Sequence, residues 1–201
     1  MENYKKNLHL LKENNVYSED MEHDACGVGI IASTEGKKSR KVVEYGIEAL
    51  KAVWHRGAVD ADGKTGDGAG IHVEIPKDFF IEKIEVTGHT HDNSEICVGM
   101  IFLPRNDYAA QESCKTIVES ELTKNDFSIY GWRQVPVNPK VLGEKAFQTM
   151  PEIIQVLFKP YNPQLTNKDL ERKIYETRRK IENEAFKKSL NNFYILSLIH
   201  I

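Results

Sequence analysis

Cys26 is the residue whose type and sequence context offer the most specific chemistry in this 201-residue chain. The stretch 24–32 reads D-A-C-G-V-G-I-I-A, which puts a thiol after a small residue and directly before a short apolar segment that contains glycine. The apolar segment predicts a strand, and the glycines let a ligand or another backbone approach closely. A strand that begins with a cysteine exposes the thiol at its first position and is anchored by the apolar residues that follow. Such a placement suits a nucleophile. An inert, buried cysteine fits the same local pattern.

A second stretch, 55–70, joins an H-R-G-A corner to a glycine-rich loop that ends in T-G-D-G-A-G. Several glycines in so short a span indicate a loop that bends sharply and lets its backbone approach another group. A phosphate-binding loop is disfavoured for two reasons. The G-x-G-x-x-G spacing is missing, and the loop leads into a predicted strand instead of a helix.

The spacing of histidines and cysteines disfavours both a metal site and a disulfide framework. His89 and His91 are two residues apart in a polar segment, without further ligands at the spacing of a metal site. The three cysteines, Cys26, Cys97 and Cys114, are odd in number and widely spaced, and they include no C-x-x-C pair. We therefore expect reduced thiols and no bound metal.

Composition excludes several classes of function. The chain is 40% hydrophobic and 28% charged, as is ordinary for a soluble globular protein, and its net charge of −3 gives no basic surface for nucleic acid. No window approaches about 18 consecutive apolar residues, and the amino-terminal segment is polar with mixed charge. We expect a cytoplasmic protein that binds neither nucleic acid nor a membrane.

The periodicity of apolar residues predicts alternating helices and strands. The predicted helices cover 39–54, 106–124 and 166–190, with Ser39 and Thr166 as N-caps. The predicted strands cover 26–32, 71–75, 96–103, 127–137 and 153–158, and a further strand begins near Asn192. Phe79 and Phe80 are expected to cover the core, and Cys114 lies on the apolar stripe of its helix.

The last ten residues read as an apolar strand with no closing turn, so we expect the domain to continue past Ile201. Residues 196–201 also match one translation of a sequencing-adaptor end. We therefore expect them to be foreign in part or as a whole.

The order of the motifs resembles the class II glutamine amidotransferase domain at the amino terminus of glutamate synthase large subunits. That family has a C-G-V-G strand start, an H-R-G-A corner, a T-G-D-G-A-G-I strand entry and an I-P-x-x-F-F element. The same four occur here in order, at 26–29, 55–58, 65–71 and 75–80. W-R-Q-V-P at 132–136 and F-Y-I at 193–195 are also similar. The resemblance covers nearly all of the chain after Tyr17 and favours the nucleophile interpretation of Cys26.

The resemblance implies an α+β fold, the four-layer αββα sandwich of the N-terminal-nucleophile hydrolases, incomplete at the C-terminal end. Residues 1–25 would be a leader that is removed, and residues 26–201 the N-terminal part of the amidotransferase domain. Cys26 would be the nucleophile, and Arg56 would support it with positive charge and hydrogen bonds. The alternative for Arg56 is a structural role at the corner. Gly57, Asp67 and Gly68 would form the substrate-binding loop.

The implied reaction is hydrolysis of glutamine to glutamate plus ammonia through a cysteine thioester, with the ammonia used on 2-oxoglutarate by other domains of the same polypeptide. The family's oxyanion-hole donors and α-carboxylate ligands come later than residue 201, so we expect this chain alone to be inactive. No cofactor is expected in it, whereas FMN and an iron-sulfur cluster are implied for the full-length parent. A small reductase subunit is a further implied partner.

Two alternative functions remain open. One is a non-catalytic or regulatory module that keeps the amidotransferase fold, in which Cys26 stays internal. The other is a class II amidotransferase that feeds another biosynthetic pathway, which the T-G-D-G-A-G sequence disfavours.

Overall fold

The computed structural model describes residues 2–14, 27–54, 57–66 and 68–200. The chain divides into two compact units, Met1–Gly57 and Ala58–Ile201. Within the described ranges, no helix combines the length and the apolar character that crossing a membrane requires.

The described residues of the first unit form two helices, α1 (Glu2–Glu13) and α2 (Arg40–Ala52). α2 confirms the helix predicted at 39–54. Ser39 has an extended backbone, and its hydroxyl accepts a hydrogen bond from the Lys41 amide at 3.2 Å. The serine thereby satisfies one of the amides that have no partner inside the first turn, as an N-cap does.

The strand predicted at 26–32 is not formed over residues 27–32. Val28 and Ile30 are 90% and 88% exposed. The prediction was wrong for these residues because a strand needs a neighbouring strand for its backbone hydrogen bonds. The described residues of this unit include no second strand. Cys26 itself lies outside the described residues.

The second unit alternates helices with the strands of one antiparallel sheet. Its elements are α3 (Lys77–Val86), β1 (Cys97–Leu103), α4 (Tyr108–Lys124), β2 (Phe127–Gln134), a 3₁₀ turn (Pro139–Val141), α5 (Glu144–Thr149), β3 (Glu152–Pro160), α6 (Asn167–Lys187) and β4 (Tyr194–His200). The strands predicted at 96–103, 127–137 and 153–158 and the helices predicted at 106–124 and 166–190 are confirmed, with small shifts at their ends. α3 and α5 were not predicted. The fold class is therefore α+β.

The segment 71–75 corrects a second strand prediction. It has no regular secondary structure, and of its residues only Ile75 is buried. The reason is the same as for 27–32, because no partner strand lies beside it in the described part of the chain.

Within the described residues, the four strands pair antiparallel in the order β2-β3-β1-β4. Ile101 of β1 lies opposite Ile154 of β3 on one side and Ile195 of β4 on the other. A bulge interrupts β2 before Gly131, which has a φ of 150° and whose added Cβ would lie 2.9 Å from Thr87 Cγ2. The bulge therefore requires glycine for both its backbone angle and its lack of a side chain. The pairing of β4 includes residues 197–200 of the segment 196–201, whose suspected foreign origin stays a prediction.

The main core lies between one face of this sheet and the helices α4 and α6. The Phe127 and Phe158 rings pack edge to face there, with their centroids 5.2 Å apart. Both helices contribute an apolar stripe, which confirms the predicted position of Cys114. The fully or nearly buried members from the helices are Cys114, Ile117, Val118, Leu122, Leu170, Ile174, Ile181 and Ala185.

The predicted N-cap of α6 is also present. The Thr166 hydroxyl accepts a hydrogen bond from the Asp169 amide at 3.2 Å and donates to the Asp169 carboxylate at 2.7 Å. The first of these bonds is the N-cap bond, and the second holds the Asp169 side chain against the threonine.

The opposite face of the sheet is covered over part of its width. Phe80 and Ile84 of α3 pack against Val98, Tyr130 and Leu157. The expectation that Phe80 covers the core is thus confirmed, whereas Phe79 is 37% exposed. Farther along the same face, the rings of Phe102 and Tyr194 stack at 4.4 Å and half of Tyr194 is exposed. Apolar surface therefore remains uncovered on this face by any described residue.

Candidate active site

Three of the predicted site residues, Cys26, Arg56 and Asp67, lie outside the described residues. Gly57 and Gly68 are described, and both are exposed. The described part of the candidate active site therefore consists of the segments that adjoin these residues in the chain.

Gly57 ends the segment that follows α2. Its amide donates to the Trp54 carbonyl at 3.0 Å, which closes a tight turn. An added Cβ would lie 3.4 Å from that same oxygen. That distance is an ordinary van der Waals contact, so the turn does not itself require glycine at residue 57.

The loop formed by residues 58–66 is a small closed unit that lies between the H-R-G-A and T-G-D-G-A-G motifs. Val59 and Gly66 form an antiparallel bridge, and the Asp60 amide donates to the Thr65 carbonyl at 2.7 Å. The Gly63 amide in turn donates to the Asp60 carbonyl at 2.9 Å. The loop therefore holds its own shape through backbone hydrogen bonds.

Asp62 fixes the tip of this loop. One carboxylate oxygen accepts from the amides of Lys64 and Thr65 at 2.9 and 2.7 Å, and the other accepts from the Thr65 hydroxyl at 2.6 Å. The Thr65 hydroxyl and these amides lower the pKa of Asp62 to about 2, because they all stabilise the ionised form. The carboxylate therefore remains charged at any pH at which the protein would work.

A segment from the connection between β2 and β3 contacts the loop. Lys145 Nζ lies 2.5 Å from Asp60 Oδ2, and the Glu144 backbone makes the smallest contribution to the lowered pKa of Asp62. Gly143 is buried, and a Cβ added there would collide with the Asp62 carboxylate and would lie 2.6 Å from the Thr65 amide nitrogen. Such short distances mean that the loop occupies the space of a side chain at Gly143.

Beyond the loop, Gly68 and Gly70 adjoin open space. An added Cβ at either residue would have no atom of another described residue within 4 Å. The backbone on this side of Asp67 is therefore accessible to another molecule.

Comparison with known proteins identifies the family of this chain. The model for the family described as class II glutamine amidotransferases matches residues 26–200, so the match begins at Cys26. The chain belongs to this family.

Three relatives agree with this membership. The large chain of an NADPH glutamate synthase from Azospirillum brasilense is 51% identical over 97% of this chain. Ferredoxin-dependent glutamate synthases from Arabidopsis thaliana and Cyanidium caldarium are 38% and 41% identical over 94% and 81% of it. The chain spans only 13%, 12% and 10% of the lengths of these three relatives.

Sequence reasoning identified the two motifs of this amidotransferase but missed the residues that hold the loop between them. Asp62 was detectable, because an aspartate three residues before a threonine is typical of a turn that a carboxylate caps. Gly143 and Lys145 gave no local signal. Their importance arises from a contact with residues that are distant in the sequence.

The two described cysteines have no features of a nucleophile. Cys97 and Cys114 have no exposed surface in the main core. Burial, with a smaller contribution from Glu95, raises the pKa of Cys97 far above its ordinary value. Burial, with a smaller contribution from Asp107, raises the pKa of Cys114 to about 11.

We therefore expect both thiols to resist iodoacetamide at pH 8 in the native full-length protein, because the thiolate is the reactive form. Peptide mass spectrometry would compare their modification in native protein and in protein unfolded by urea. Native labelling at least about 100-fold slower than in urea is the expected result. Equal rates would contradict the burial seen here.

Proposed function

We propose that this chain is the glutaminase part of a glutamate synthase, which hydrolyses glutamine to glutamate and ammonia. The observation that carries the proposal is the family match that starts at Cys26 and runs to residue 200. The three relatives described above are all glutamate synthases. This agreement favours glutamate synthesis over an amidotransferase of another pathway and over a non-catalytic module.

In the proposed mechanism Cys26 is the nucleophile and its own α-amine is the general base. The thiol proton passes to the amine as sulfur attacks the carboxamide carbon of glutamine. The amine then gives its proton to the leaving ammonia, and a glutamyl thioester remains. Water adds to the thioester with the amine accepting its proton, glutamate leaves, and the thiol is restored.

The other predicted site residues receive binding roles in this proposal. Arg56 supplies positive charge and hydrogen bonds beside the thiolate. Gly57, Asp67 and Gly68 shape and line the loop that receives glutamine. The open space beside Gly68 and Gly70 supports this role, because a substrate can approach the backbone there.

We further propose that residues 1–25 are a leader and that 26–201 form the N-terminal part of the amidotransferase domain. The proposed fold is the αββα sandwich of N-terminal-nucleophile hydrolases. Two features support it. Helices α4 and α6 cover one face of the sheet, and the other face keeps apolar surface at Phe102 and Tyr194 that a second sheet would cover.

The ammonia would be used on 2-oxoglutarate by further domains of the parent polypeptide, in the cytoplasm. FMN and an iron-sulfur cluster would belong to those domains, with a reductase subunit as a further partner. The residues of this chain do not fit an iron-sulfur cluster. Such clusters are commonly held by four cysteines, whereas this chain has three, two of them buried in the main core.

The direct test is to incubate the full natural polypeptide with glutamine labelled with ¹⁵N at the amide, in the absence of 2-oxoglutarate and reductant. We expect equal amounts of glutamate and ¹⁵N-ammonium, measured by NMR. The same protein incubated without glutamine gives the background level of ammonium and glutamate. A pure, folded protein that releases no ammonium would contradict the proposal.

A further inference from the structure

We propose that residues 143–145 are a latch that positions the loop 58–66 for glutamine hydrolysis. The inference rests on the proposed function, since the loop connects the motif that contains Arg56 and Gly57 to the motif that contains Asp67 and Gly68. Residues 143–145 would be positioning residues, because they act through the loop and not on the substrate.

The first contact of the latch is steric. Gly143 has φ −70° and ψ 164°, which any residue can adopt, so its backbone does not require glycine. The space around residue 143 does require glycine, because an added Cβ would lie 2.6 Å from the Thr65 amide nitrogen. Thr65 N is a backbone atom and cannot rotate away as a side chain would. A methyl group at residue 143 would therefore displace the loop itself.

The second and third contacts are polar. The Glu144 backbone lies close enough to the Asp62 carboxylate, which already organises the loop tip, to contribute to the lowering of its pKa. Lys145 pairs with Asp60 at 2.5 Å, with side-chain exposures of 68% and 33%. Ion pairs as exposed as this one contribute little. We therefore expect the Gly143 contact to have the larger effect.

The latch can transmit position because both partners are internally ordered. The loop is closed by the bridge between Val59 and Gly66. On the other side, the Phe147 amide donates to the Gly143 carbonyl at 2.9 Å, and the Arg105 guanidinium lies 4.7 Å from the centre of the Phe147 ring. Arg105 follows β1 by two residues. The loop is thus connected through residues 143–147 to the segment that follows β1.

The experiment compares Gly143→Ala with Gly46→Ala in the full natural polypeptide. Gly46 is a matched control, because a Cβ there meets no atom within 4 Å. We expect Gly143→Ala to lower kcat/KM for glutamine by about tenfold or more, since small misplacements of substrate-positioning groups have effects of this size. We expect Gly46→Ala to change it by less than about twofold.

Two further measurements separate positioning from general damage. We expect the Gly143→Ala change to slow labelling of Cys26 by 6-diazo-5-oxonorleucine, which must bind as glutamine does. Labelling by iodoacetamide, which needs no binding site, should stay within about twofold. Hydrogen exchange at the Asp60 and Gly63 amides should accelerate about tenfold, because both are hydrogen-bonded inside the loop.

The outcomes separate the latch from the proposed function. Faster exchange with unchanged glutamine hydrolysis would overturn the positioning role, and unchanged exchange would overturn the latch itself. If the unaltered protein does not hydrolyse glutamine, the proposed function fails, and the exchange data still decide whether residue 143 holds the loop.

A second pair of variants covers the case in which Gly143→Ala does not fold. Lys145→Met removes the ion pair with Asp60, whereas Lys145→Arg retains the charge. We expect about threefold lower kcat/KM and faster loop exchange in the Met variant and near-normal values in the Arg variant. Equal behaviour of the two variants would contradict a latch role for Lys145.

Discussion

Replacing Cys26 with alanine is expected to lower glutamine hydrolysis by the full natural polypeptide by about four orders of magnitude or more. The proposed reaction passes through a thioester, so removal of the sulfur removes the covalent route altogether. Losses of this size are typical when a nucleophile is removed from a group of residues that act together. Cys26→Ser should also be strongly impaired, since a hydroxyl is far less ionised than a thiol at neutral pH.

Cys114→Ala is the matched control, because it removes a thiol of the same chain that lies in the main core. We expect the control to keep glutamine hydrolysis within about threefold of the unaltered protein. Both variants should be followed by ¹⁵N-ammonium release and by their melting temperature. Activity above about a tenth of normal in a folded Cys26→Ala variant would show that another residue is the nucleophile.

The elements that could be predicted from the sequence are those in which a local signal and the tertiary contact agree. In α6 the Thr166 cap begins the helix, and Leu170, Ile174 and Ile181 follow at helical spacing and are all buried. Each signal lies within a few residues of the structure it specifies. Such helices are therefore readable without knowledge of the rest of the chain.

The strands predicted at 26–32 and 71–75 failed for the opposite reason. A run of apolar residues gives a strand only when another strand supplies the backbone hydrogen bonds. β1 satisfies this condition, because β3 and β4 flank it. The apolar pattern of 71–75 has no such neighbour in the described residues, and nothing in that pattern reveals whether a neighbour will form.

The candidate site also contains residues that the local sequence could predict and contacts that it could not. The types and order of the four motifs, three of which contain Cys26, Arg56 and Asp67, were sufficient to identify the family, which the match over residues 26–200 establishes. The contact between Asp60 and Lys145 joins residues 85 positions apart. The need for glycine at residue 143 arises only from the atoms of Asp62 and Thr65 that lie close to it. Long-range contacts of this kind have no periodicity that could predict them.

Removal of the leader is expected to switch the activity on by about 100-fold or more. While residue 25 is attached, the nitrogen of Cys26 is an amide and cannot accept a proton. Once it is free, the α-amine has a pKa of about 7.7 to 8.0, close to the thiol's value of about 8.5, so proton transfer between the two groups is nearly balanced. A positioned general base of this kind typically contributes about 10²- to 10⁴-fold.

The experiment replaces residues 1–25 of the full natural polypeptide with a sequence that a specific protease removes directly before Cys26. Intact-mass analysis would verify the new first residue, and ¹⁵N-ammonium release would be measured before and after cleavage. The same protein with Cys26→Ala is the control and should stay inactive after cleavage. In the cleaved protein, kcat/KM should rise as pH passes through the pKa of the α-amine, because the neutral amine is the form that accepts the proton. Equal turnover by the uncleaved protein would show that the base is a side chain and that Cys26 works from inside the chain.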